Sequence, residues 1–397
     1  MHWIVTNREV RAGTDGLERV NAEAHEPSPI FRVARYAPAS SAPGLGGAEL
    51  ERFVTFAPDA NHPGYGLAPD ADPESVAGTA RMFLDLYQRM RAGPEGKAHA
   101  LFFIHGFNYT WHEALENLQR LHEVYVEPEA SPIGHIVMFT WPSRGSVRGY
   151  RADQEIALPS GLALGRLFGK ALSFYREFFA RTGADVPEFC GQKLHLAAHS
   201  MGNQVLREFF RGIAPYRHLR RSIFAETLLL NADVEWHALE PGEPLHALPE
   251  YCDRVHVYNH FGDDALRISE TTKNGDKRLG LHGPRDWHTP PMSVRTVIVD
   301  TTALPDRVRT SAGDATDRAA RAAVRPRERA EAWARGLLER DEPTIRVNPR
   351  EALFDHWGYL HRPEIVADLY RVFRGESSGA IKGRVHREGP LYRLAGP

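Results

Sequence analysis

The sequence predicts an α/β domain with a mostly parallel central sheet and helices on both faces. Three observations carry that expectation. From Lys97 onward, short apolar runs alternate with longer segments of helical spacing. The runs are apolar nearly throughout, as in "ALFFI" and "TLLLNA", which is the pattern of strands covered on both faces. At 397 residues the chain is also long enough to bury a large core.

The elements follow in order. The first hundred residues read as the short strands "HWIVTN", "FRVARYA" and "LERFVTF", then the helical "PESVAGTARMFLDLYQRMRAG". Pro/Gly-rich loops, "APASSAPGLGG" and "APDANHPGYGLAPDADP", separate them. The strands "AHALFFIHG", "HIVMFTW", "KLHLAAHS", "AETLLLNA", "RVHVYNH" and "VRTVIVD" come next. Between them lie helices in "WHEALENLQRLHEVYV", "ALGRLFGKALSFYREFFAR" and "NQVLREFFRGI". After Asp300 an Ala-, Arg- and acid-rich stretch reads as an insertion with a solvent-facing helix near "RERAEAWARGLLER". A last helix, "PEIVADLYRVFRG", precedes a Gly-rich basic tail. In domain terms, 1–96 completes the sheet, 97–301 is the core and 302–343 the insertion. Residues 344–375 supply a histidine-bearing loop and the final helix, and 376–397 a flexible tail.

Composition narrows the partners. Lys+Arg 49 against Asp+Glu 51 gives a net charge of -2, so there is no whole-chain case for nucleic acid or an anionic membrane. The apolar runs are strand-sized, which argues against a membrane span. The opening "MHWIVTNREVRAG" lacks the pattern of a secretory signal. Two cysteines, Cys190 and Cys252, read as buried thiols rather than a disulfide framework, which points to the cytoplasm. No cofactor or metal is expected. His256 and His260 stand four apart on a strand, a spacing that carries them away from a common point.

The chemistry concentrates in Ala198-His199-Ser200-Met201-Gly202, where a strand becomes a helix. This is the form of a nucleophile elbow, G-x-S-x-G, with alanine at the first position. Small residues two before and two after the serine let strand and helix pass closely around a strained turn. An N-cap serine is the plainer reading of the same residue. An oxyanion hole is expected from the N–H groups of Phe107, in His105-Gly106-Phe107-Asn108, and of Met201. His105 itself reads as a structural hydrogen-bonder for that loop. A base following "VRTVIVD" is found among His356, His361 and His386. His356, in "LFDHWGYL", is preferred, since His361 directly precedes Arg362-Pro363 and His386 lies in the tail. For the acid, Asp263 in "FGDDAL" leads, with Asp264 and Asp233 (in "LLNADV") as alternatives.

Together these residues resemble the α/β-hydrolase superfamily. More narrowly, the chain resembles the family known as domain of unknown function nine hundred. The shared marks are "TNR", "FFIHGFNYTWHEAL", "FTWPSRGSVRGYRADQEIA", "LHLAAHSMGN", "LLNADV", "VHVYNHFGDDALRIS" and "RLGLHGP", within about Trp3 to Leu369. The resemblance implies an α/β-hydrolase fold with Ser200, Asp263 and His356 in matching positions. It also draws attention to "WPSRGSVRGYRAD", where Trp141 and Arg144 are expected at the substrate rim, with Arg148 and Arg151 as further cations or as partners of Asp153 and Glu155. The expected function is hydrolysis of an ester-like bond, carboxylic ester or thioester, in a small acyl substrate through an acyl-enzyme on Ser200. The alternative is a non-catalytic binding or scaffold protein on the same fold.

Overall fold

The computed structural model describes residues 1–38, 45–59, 67–68, 70–144, 149–180, 192–213, 223–287, 294–304 and 355–395. Among them, the apolar runs become strands β1 (His2–Thr6), β2 (Val10–Ala12), β3 (Glu18–Val20), β4 (Arg32–Tyr36), β5 (Val54–Phe56), β6 (His99–Ile104), β7 (Ile133–Thr140), β8 (Leu194–His199), β9 (Phe224–Leu230), β10 (Cys252–Asn259), β11 (Thr296–Asp300), β12 (Arg384–Glu388) and β13 (Leu391–Leu394). The helices are α1 (Gly47–Leu50), α2 (Gly78–Ala92), α3 (Trp111–Tyr125), α4 (Tyr150–Ala180), α5 (Gly202–Ile213), α6 (Asp264–Ile268), α7 (Leu279–His282), α8 (Gly358–His361) and α9 (Pro363–Phe373).

Eleven strands pair into one sheet in the order β12-β13-β11-β10-β9-β8-β6-β7-β1-β4-β5, while β2 and β3 form a separate ribbon. The central strands from β7 to β11 run parallel, as do the β1–β7 and β11–β13 pairs. Antiparallel pairings occur at the two edges, β1–β4 and β4–β5 at one and β12–β13 at the other. Alternation along β6 sends Ala100 and Ile104 into one core and Leu101 and Phe103 into the other. The first core is closed by α2, α4 and α5, the second by α3 and α9. In α5 the buried Val205, Leu206, Phe209, Phe210 and Ile213 make one apolar stripe, which packs against α4. This is the α/β-hydrolase arrangement that the sequence predicts.

Two elements differ from the sequence reading. Helix α4 begins at Tyr150 and runs through Pro159, whereas the helical pattern is read only after that proline, which breaks the ladder of backbone donors. The tail expected to be loose instead supplies β12 and β13. Its Arg384 is buried, donating from Nε and Nη2 to the two carboxylate oxygens of Asp368 on α9, both at 2.7 Å, and to the Tyr258 hydroxyl at 3.0 Å. Basic composition suggested a solvated segment, but this arginine is an anchor. The insertion helix near "RERAEAWARGLLER", Cys190 and Arg148 lie outside the described residues. Cys252 is buried, and burial pushes its thiol up to about 12, consistent with the inert reading. Among the described residues no helix is long and apolar enough to cross a membrane.

Candidate active site

Ser200 stands between β8 and α5 with φ 53, a left-handed conformation that a serine adopts at a cost of order 1–3 kcal/mol. The turn is held from all sides. The Ser200 N–H donates to the Leu230 carbonyl, and the Ser200 carbonyl accepts from the N–H groups of Asn203 and Asp233. The Asn203 side chain donates to the carbonyls of both Ala198 and Ser200, at 2.9 and 3.1 Å. At Gly202 a Cβ would fall 2.7 Å from the Ile104 carbonyl oxygen and 2.6 Å from that of His105, so only glycine lets α5 start this close to the end of β6. Gly106 is equally constrained, since a Cβ there would meet the Ser200 Cβ at 2.9 Å.

His356 sits in a short helical turn ahead of α8, and its Nδ1 lies 2.6 Å from Asp263 Oδ2. Asp263 is the N-cap of α6 and follows the end of β10. Its carboxylate is fully buried and also accepts from the Leu266 N–H at 3.0 Å and from Asn231 Nδ2 at 2.8 Å. Burial by itself would raise this carboxyl, but the neighbouring His356 and these hydrogen bonds hold it below the usual range. The other two acids go elsewhere. Asp264 is half-buried, its carboxylate 4.0 Å from Arg267 Nε. Asp233 accepts from Tyr150 Oη at 2.7 Å and from Ser269 Oγ at 2.6 Å, with Arg278 Nη1 at 3.7 Å. Burial raises its carboxyl against the pull of Arg278.

Ser200, His356, Asp233, Phe107 and Asn108 line one cleft at the carboxyl end of the sheet, where ligands of open α/β sheets bind. Among the described residues the N–H groups of Phe107 and Met201 have no hydrogen-bond partner. The loop that presents Phe107 is braced beneath. Ser143 Oγ accepts from the N–H groups of Asn108 and Tyr109, at 2.8 and 3.2 Å, and donates to Asp153 at 2.5 Å. Asp153 also accepts the Arg144 N–H at 3.0 Å, and burial raises its carboxyl to about 6 despite these bonds. His105 is buried and lies within hydrogen-bonding distance of the Gly106 carbonyl and the Thr140 hydroxyl; burial, with the nearby Arg8, pushes its imidazole down to about 3. It is a neutral brace.

A model of the family described as "Alpha/beta hydrolase of unknown function (DUF900)" matches residues 89–305, more than half of the chain. The chain belongs to this family. No curated protein and no solved structure matches it. The matched stretch holds Phe107, Ser200, Asp233 and Asp263 and ends before His356.

The N-terminal "TNR", Thr6-Asn7-Arg8, precedes the matched stretch and has a physical role in the fold. Thr6 Oγ1 donates to the Thr140 carbonyl, and Asn7 Nδ2 donates to Ser160 Oγ on α4. Arg8 donates to Thr140 Oγ1 and to the Tyr109 carbonyl at 2.8 Å. The motif therefore ties the N-terminal segment to the loop that carries Phe107. The substrate-rim expectation is corrected in part. Trp141 is fully buried, its ring stacked on His105 and its indole N–H donating to the His105 carbonyl. An aromatic ring placed directly after an apolar strand continues the core instead of facing the cleft. Arg144 is exposed but does not line the cleft, and it meets Asp153 through its backbone N–H.

Sequence reasoning passed over His199. It is fully buried, its imidazole is held neutral by burial, and its Nε2 lies 2.8 Å from the carbonyl oxygen of His356. It thereby ties the strand end before Ser200 to the loop carrying His356. Trp357 Nε1 donates to Tyr109 Oη at 3.0 Å, linking that loop to the Phe107 segment as well. Asn231 was missed for a similar reason: its partner Asp263 lies 32 positions away, and only the β9–β10 pairing brings them together.

Proposed function

We propose that the protein is a serine hydrolase that cleaves an ester-like bond, carboxylic ester or thioester, through an acyl-enzyme on Ser200. One arrangement carries the reading: a serine in a left-handed turn shares a cleft with a histidine whose Nδ1 lies 2.6 Å from a buried carboxylate. His356 Nε2 takes the proton from Ser200 Oγ as that oxygen attacks the substrate carbonyl carbon. The carbonyl π pair moves onto its oxygen, which accepts hydrogen bonds from the N–H groups of Phe107 and Met201. Collapse expels the alcohol or thiol, which leaves with the proton from His356. Water then attacks the acyl carbon while His356 takes its proton, and Ser200 departs reprotonated with release of the acid. Asp263 accepts the Nδ1–H throughout, which leaves Nε2 as the basic nitrogen and stabilises the transient imidazolium. Each oxyanion donor contributes about 3 kcal/mol to the barrier reduction.

The apolar cleft residues Phe107, Leu266, Ile268 and Trp357 suit a small acyl group. A panel of aryl esters of graded acyl length, assayed on the wild type and on Ser200→Ala, tests the reading. Hydrolysis is expected to fall by at least about 10³-fold in the variant, and a fluorophosphonate is expected to label only the wild type. Ester hydrolysis that survives the substitution would overturn the mechanism. Folded wild type that resists the fluorophosphonate would instead favour the non-catalytic scaffold.

A further inference from the structure

We propose that the cleft beside Ser200 takes substrates bearing an anionic group, which Lys273 engages. The inference rests on the reading of Ser200 as the nucleophile and adds a substrate class to it. Lys273 lines the same cleft as Ser200 and His356, facing a space walled by Phe107, Leu266, Ile268 and Trp357. Among the described residues, the acidic and basic side chains lining that space, histidines aside, are Asp233 and Lys273. Their situations differ. Asp233 is satisfied by the Tyr150 and Ser269 hydroxyls, and its charge is offset by the buried Arg278. Lys273 has no ion-pair or hydrogen-bond partner among the described residues.

The acids closest to Lys273 along the chain are already engaged. Glu270 Oε2 lies 2.8 Å from His282 Nε2 and accepts the Arg278 N–H at 3.3 Å. Asp276 faces His237 at 3.6 Å and accepts the Lys277 N–H at 2.8 Å. The neighbouring lysine is engaged too, with the Lys277 ammonium 4.2 Å from the centre of the Trp236 ring. Among the described residues, Lys273 is therefore a cation of the cleft without an ion-pair partner, beside an apolar wall where attraction to an anion is stronger than in bulk water.

The backbone that presents this charge is fixed. Lys273 lies in a single π-helical turn, Ser269–Asn274, which continues from α6, the helix capped by Asp263. Such turns widen a helix locally and recur at functional sites. Next along the chain, Asn274 Nδ2 donates to Tyr150 Oη and Ser269 Oγ, both at 2.8 Å, and Gly275 closes the turn at φ 71. One continuous element thus carries both the proposed acid of the mechanism and the cation. The anion recognised is a carboxylate or a phosphate on the substrate; both chemistries suit an ammonium.

The test uses the full chain and fluorophosphonates of identical alkyl length that end in a methyl group, a carboxylate or a phosphonate. Rates of Ser200 labelling are measured for the wild type, Lys273→Gln, Lys273→Glu and Lys273→Arg. The readout is the ratio of the anionic to the neutral rate, which cancels any general loss of folding or reactivity. The wild-type ratio is expected to drop about tenfold in Lys273→Gln, the loss of one charge-assisted contact. It should drop further in Lys273→Glu and be largely kept in Lys273→Arg. Whichever anion responds identifies the class. Ratios that stay equal across all four proteins, for both anions, overturn the proposal and leave Lys273 as a cation favoured by a helix C-terminus; Ser200 labelling in that result leaves the hydrolase reading intact. No labelling of Ser200 by any probe fells both readings together.

Discussion

At the scale of single residues, Asp263 and Asp264 are adjacent in the chain but differ completely in surroundings. Asp263 caps α6 from within, buried against His356 and Asn231, while Asp264 is half-buried and lies 4.0 Å from Arg267. A carboxylate that holds a histidine in the right tautomer cannot be replaced by an amide, because the amide presents its own N–H to the ring or loses the charge that stabilises the imidazolium. Asp263→Asn is therefore expected to lower kcat by about four orders of magnitude with the fold retained. Asp264→Asn should stay within about twofold of the wild type, since a half-exposed pair 4.0 Å apart contributes little. Aryl-ester kinetics with circular dichroism on both variants checks this. A full-rate Asp263→Asn enzyme would move the role of the acid to Asp233. The sequence narrowed the acid to three candidates because each follows a strand end. It could not separate them, since the choice depends on which way each side chain turns after the strand.

At the scale of elements, the C-terminal strands show how composition misleads. A basic, Gly-rich stretch of this kind is normally solvated, yet β13 pairs in parallel with β11, and Ile381 and Leu394 are buried. What fastens it is the Arg384–Asp368 pair, enclosed by Tyr258, whose hydroxyl donates to Asp368 at 2.5 Å. A buried pair of this kind adds little over an apolar replacement, but breaking it strands a charge. Arg384→Met is expected to cost about 3–5 kcal/mol in urea unfolding, and Arg384→Met with Asp368→Leu to recover much of that loss. A tail hanging free would leave the single variant within about 0.5 kcal/mol of the wild type. The core elements were legible because their signal is local: near-continuous apolar strands, a helical stripe in α5 and small residues around Ser200. The tail anchor was not, because Arg384 and Asp368 find each other only after the final helix has packed. The rim assignment of Trp141 missed for the same reason, as the ring's direction depends on His105 from a neighbouring strand.

At the scale of the whole molecule, several imidazoles are buried where their charged form is disfavoured. Burial lowers His2, His99, His105, His122, His195, His199 and His256, several of them in contact as pairs, such as His2 with His122 and His99 with His195. These groups bind protons in the unfolded chain near 6.5 but resist them in the folded protein, to about 3 for His105. Their contribution is therefore fully present above about pH 6.5 and is lost as the pH falls below it, because protonation pulls the chain toward the unfolded state. Two buried carboxyls act in the opposite sense. Asp153, raised to about 6, and Asp233 cost stability when ionised, and that cost eases as the pH falls. With His25 and His135 lowered as well, and Asp263 held low in the same sense, the two raised carboxyls are outweighed and the net slope is positive. His105 alone forfeits about 2 kcal/mol by pH 5. Urea midpoints measured from pH 8 to pH 5 are expected to hold nearly level down to about 6.5. Below that the unfolding free energy should fall by more than about 1.4 kcal/mol per pH unit, the mark of more than one proton taken up on unfolding. A level profile through pH 5 would mean that these imidazoles are reached by solvent in the folded protein. The same measurement sets the pH range in which ester kinetics report on chemistry instead of unfolding.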